Sequence, residues 1–164
     1  MKASVLSATA HHEAGHAVAA VLKNVPFKQV SVIEQADAAG HIAFLRPARS
    51  MVAMHARGMV AMAGEAAQRR YNPRSVRRHH GGSDRDHVLA YAMECSGSAE
   101  QATLLAQLWA AQARDLVESR WATITQVAAE LLKQSALTQD AVAHLVWGQI
   151  GGGPPAAVRS GTAR

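Results

Sequence analysis

The chain has 164 residues, room for one domain with one sizeable core. Apolar residues make up 49% and charged residues 18%, which excludes a disordered chain, and the net charge of +5 names no partner by itself. A single cysteine, Cys95, excludes a disulfide framework. There is no apolar run of the roughly 18 residues a membrane span needs, and residues 1–9 lack a secretory pattern, so the expectation is a soluble cytoplasmic protein without membrane insertion.

Few aromatics and abundant alanine point to an α+β, predominantly helical fold. A first helix is expected over 7–22, with Ser7 or Thr9 as N-cap and Pro26 beyond its end. Gly15 costs that helix about 1 kcal/mol relative to alanine, so it marks a close approach by another backbone. Residues 27–34 alternate apolar and polar as a strand does, and 40–45 read as a second, giving a small β-hairpin. A long helix over 49–70 follows, with Met51, Met54, Met59, Val60 and Met62 as its buried stripe. Residues 69–87, with Asn72-Pro73, Gly81-Gly82 and six arginines, read as an exposed loop. Helices are then expected from Ser83 or Asp84 to 94, and over 99–119, 121–134 and 138–147, the last capped by Thr138. They form a C-terminal helical bundle with Trp109, Trp121 and Trp147 as anchors. Residues 1–150 make one domain, and the tail 151–164 is expected to be disordered.

Residues 12–16 read HEAGH. Histidines four apart on a helix lie about 40° apart in azimuth, one turn apart in height, so both imidazoles reach one zinc ion. Glu13 points about 100° away from His12, which suits a general base better than a ligand. This is the zincin arrangement, with His12 and His16 as metal ligands and Glu13 as catalytic base. His11, on another face, reads as a solvent-facing or capping residue. A catalytic zinc needs a third protein ligand. The extension HExxHxxGxxH fails, because Ala19 and Leu22 occupy its glycine and last histidine. Glu65, on the next helix, is one available carboxylate. Ser83-Asp84-Arg85-Asp86 has the spacing of a capping box.

HEAGHAV, the hairpin with a glycine before its second strand, MAGEAAQ at 62–68, GSDRDHVLAYAM at 82–93 and the helical pair over 118–142 occur in an order that resembles the peptidase domain of FtsH-type ATP-dependent zinc metalloproteases. The resemblance spans about residues 5–147. It implies a zincin-like peptidase domain without an ATPase module, and a third zinc ligand at Asp86, with Asp84 the nearest alternative. The chain departs from the pattern at Glu65, where the family usually has arginine, and at Gln68, where it usually has glutamate.

The expected function is therefore a zinc-dependent metalloendopeptidase that cleaves a polypeptide substrate, with a separate ATPase or other protein as a possible partner. The strand over 40–45 is expected to pair with an extended substrate, with His41 as a plain strand residue. A catalytically retired module that binds peptides or a protein partner is the alternative. Nucleic-acid binding is not expected, since Tyr71 is the one aromatic of the arginine-rich loop.

Overall fold

The computed structural model describes residues 2–33, 41–45, 47–76 and 82–150. The expected disordered tail over 151–164 lies outside them. The fold is mostly helical with one small antiparallel sheet.

Helix α1 (Lys2–Leu22) starts five residues before its expected beginning. Thr9 does not cap it; its Oγ1 donates back to the Val5 carbonyl from within the helix. Alanine and leucine in this stretch favour helix, and propensity carries the first turn past both candidate caps. Strand β1 (Phe27–Ser31) follows and pairs with β2 (His41–Phe44) as the expected hairpin. The second partner of β1, β3 (Ala136–Thr138), was not expected; three residues are too few to display an alternation. The sheet order β2-β1-β3 sets Val30 between Ile42 and Leu137, an apolar row facing the core.

Helix α2 (Met51–Tyr71) is capped by Ser50, whose side chain accepts from the Ala53 N–H. Of the expected methionine stripe, Met59 and Val60 are buried, whereas Met51 stays 58% exposed at the solvent end. Arg69 and Arg70 belong to the last turn of α2 rather than to a loop. Asn72 ends the helix and caps a 3-10 turn (Pro73–Ser75) with its side chain. Helices α3 (Gly82–Glu94), α4 (Ala99–Ser119), α5 (Trp121–Gln134) and α6 (Gln139–Ile150) complete the chain. Thr138 acts as the expected cap of α6, its Oγ1 accepting from the Ala141 N–H, while also closing β3. Among the described residues, no helix is long and apolar enough to cross a membrane.

The main core joins α1, α2, α5, α6 and the sheet. A second cluster, of Val88, Ala92, Ala102 and Trp109, ties α3 and α4 to α2. Two glycines set these distances. A Cβ on Gly58 would fall 2.2 Å from the Trp109 ring, and one on Gly15 would fall 2.5 Å from the Ala63 carbonyl oxygen and 2.7 Å from the Ala67 Cβ. Gly15 is therefore the close approach expected between helices. Gly15→Ala is expected to lower the unfolding free energy in urea by about 1–3 kcal/mol, because overpacking outweighs the gain in helix propensity. Equal or higher stability would show that α1 and α2 have room to part.

Candidate metal centre

Helices α1 and α2 run antiparallel, so His12 lies beside Gln68 and His16 beside Val60. The His16 Nδ1 donates to the Val60 carbonyl at 2.8 Å, and the His12 Nδ1 donates to Gln68 Oε1 at 2.9 Å. The Gln68 amide is itself oriented, since its Nε2 donates to both the carbonyl and the hydroxyl of Ser75. Ser75 is held in turn by its hydroxyl, which donates to the Asn72 carbonyl. With both Nδ1 atoms engaged on the far side, both imidazoles turn Nε2 to the same point. Gly64 makes room for this: a Cβ there would sit 2.3 Å from the His16 Nε2.

The third electron-pair donor is Asp84. Its Oδ2 lies 3.1 Å from the His12 Nε2 and 3.2 Å from the His16 Nε2, and the two Nε2 atoms are 2.9 Å apart. These three residues form the one metal-competent group among the described residues. The expectation of Asp86 is corrected here. Residues two apart on a helix diverge by about 200°. Asp84 shares a stripe with buried Val88 and half-buried Tyr91, whereas Asp86 is exposed on the opposite side. Glu65 is not a ligand either; its carboxylate is taken up by Arg69 and Arg85.

The donor set fits zinc. Bonds of about 2.0–2.1 Å in a tetrahedron place ligand atoms about 3.3 Å apart, close to the three separations found. Without a cation the triangle is frustrated. A proton satisfies two of the three donors at most, whereas a divalent ion satisfies all three. The electrostatics carry the same message. Burial alone would depress the His16 pKa, but the Asp84 carboxylate outweighs it and pushes the value up to about 9. Burial would raise the Asp84 pKa, yet His16 and His12 hold it well below the usual carboxylate range.

Glu13 stands beside the triangle rather than in it. It is 4% exposed, and its Oε2 is buried without a hydrogen-bond partner. Burial raises its pKa, with His16 and His12 opposing. His41 heads β2 as a half-buried strand residue, its Nδ1 also buried and unpartnered. His11 is not the solvent-facing or capping residue expected. It is 6% exposed, donates from Nδ1 to the Ser7 carbonyl, and stacks between Tyr71 and Trp121. Gln68 and Ser75 were missed as supports of His12; an amide one helix away from HEAGH and a hydroxyl after Asn72-Pro73 are weak signals by themselves.

No protein-family model matches the chain, and no curated protein matches it.

Zinc has to displace the His16 proton, so uptake is expected to release about one proton per ion near neutral pH. Affinity should rise with pH up to about 9, the His16 value. Calorimetry in buffers of different ionisation enthalpy checks this; uptake without proton release would contradict the raised His16 pKa. Asp84→Asn is expected to weaken zinc binding by about 100-fold or more, with Asp86→Asn near wild type. The reverse ranking in a chelator competition would restore Asp86 as the ligand.

Proposed function

We propose that this protein is a zinc-dependent metallopeptidase. The observation that carries the reading is the convergence of His12 Nε2, His16 Nε2 and Asp84 Oδ2, with Glu13 buried beside them. The HEAGH motif and its resemblance to FtsH-type peptidase domains support the same reading, with Asp84 in the role that the resemblance gave to Asp86.

His12, His16 and Asp84 would hold a zinc ion, which would supply the Lewis acidity that activates a water near neutral pH. Glu13 takes a proton from the attacking water. Its burial favours the protonated form, which strengthens it as a base relative to an exposed carboxylate. Glu13 then delivers the proton to the amine nitrogen as the C–N bond breaks. The sheet supports a polypeptide as substrate. Among the described residues, strand β2 is an edge of the sheet in the order β2-β1-β3. Such an edge accepts an extended polypeptide as an added strand.

Glu13→Gln is expected to keep zinc and to lose about 100- to 10,000-fold in hydrolysis of an unstructured polypeptide by the zinc-loaded protein. A variant as active as wild type would remove Glu13 from the reaction. A zinc-loaded wild type that binds such polypeptides without cutting them would replace the enzyme with a retired, peptide-holding module.

A further inference from the structure

The metal triangle draws two ligands from one helix and the third from α3, whose first turn follows residues 77–81, outside the described set. Asp84 sits in that first turn, so something must hold the turn against the rest of the molecule before a metal arrives. The residue next to Asp84 does so. The Arg85 guanidinium donates from Nε at 3.1 Å and from a terminal nitrogen at 2.9 Å to one oxygen of Glu65. The other Glu65 oxygen accepts from Arg69 at 2.7 Å, one turn further along α2. Glu65 is thus a partly buried carboxylate whose two oxygens are both engaged, one by Arg69 within α2 and one by Arg85 on α3. The carboxyl is held below its ordinary pKa: burial pushes it up, and the two arginines outweigh that.

We infer that Glu65 and Arg85 form a clamp that positions Asp84 for metal binding, by pinning the first turn of α3 to α2. The inference rests on the metal reading of the triangle. Its physical basis is preorganisation: a ligand already held near its bound position loses less freedom when the ion arrives. It also accounts for a departure noted in the sequence. Glu65 stands where the similar family usually has arginine, and here the acidic residue has an arginine opposite it on α3. Glu65 and Arg85 are positioning residues; neither belongs to the ligand triangle.

A double-mutant cycle on the full chain tests the clamp. E65Q, R85Q and the E65Q/R85Q double variant are each expected to weaken zinc affinity by about three- to fivefold in a chelator competition, the double no more than either single. R69Q, which touches Glu65 but not α3, should change affinity less than about twofold. Losses that multiply in the double variant, or none in the singles, would overturn the clamp. A second readout needs no metal: amide hydrogen exchange over residues 86–90 of the zinc-stripped chain should quicken in R85Q and in E65Q alike. Unchanged exchange in both would overturn the clamp as well. A wild-type chain that takes up no zinc overturns the metal reading instead, and the exchange result still decides whether the clamp exists.

Discussion

Three donor atoms about 3 Å apart, all aimed at one point in a largely buried site, call for positive charge among them, as a proton or as a metal ion. Much of the local structure around the triangle can be understood as the means of holding that arrangement. The Val60 carbonyl and the Gln68 amide oxygen take the ring protons on the far side of each histidine. That turns the Nε2 of each ring towards Asp84.

Small residues make the geometry possible. His16 reaches the Val60 carbonyl because Gly64 carries no Cβ to meet its ring, and α1 approaches α2 because Gly15 faces Ala63 and Ala67. The low aromatic content fits this construction. Two helices close enough to share hydrogen bonds between a histidine and a main-chain carbonyl need alanine and glycine along the seam. The larger side chains are placed elsewhere: Trp109 over Gly58, and His11 stacked between Tyr71 and Trp121. His11 thus packs α1 against the end of α2 and the start of α5, while its neighbour His12 faces Asp84.

The helical period made α1 and its two inward histidines legible, because a four-residue spacing has one geometric meaning on a helix. The third donor was harder to read. In α3 two apolar stripes compete: Val88 and Ala92 on one, Leu89 and Met93 on the other. Had Leu89 and Met93 faced the core, Asp86 would have been carried inward with them. They are 56% and 48% exposed, and the Val88 stripe brings Asp84 in. Nothing local distinguishes the two; the choice is made by the contact of Val88 and Ala92 with Trp109 and Ala102, which are distant in sequence. β3 escaped notice for a similar reason, since three residues become a strand only through Val30 opposite Leu137. The early start of α1 shows the reverse: a plausible cap has no effect where the residues before it are good helix formers.

The most direct measurement of the central claim is X-ray absorption at the zinc edge of the protein loaded with one equivalent of zinc. A four-coordinate ion with two imidazole nitrogens and light oxygen scatterers at about 2.0–2.1 Å is expected. A six-coordinate ion without the imidazole signature, or a protein that holds no zinc after gel filtration, would contradict it.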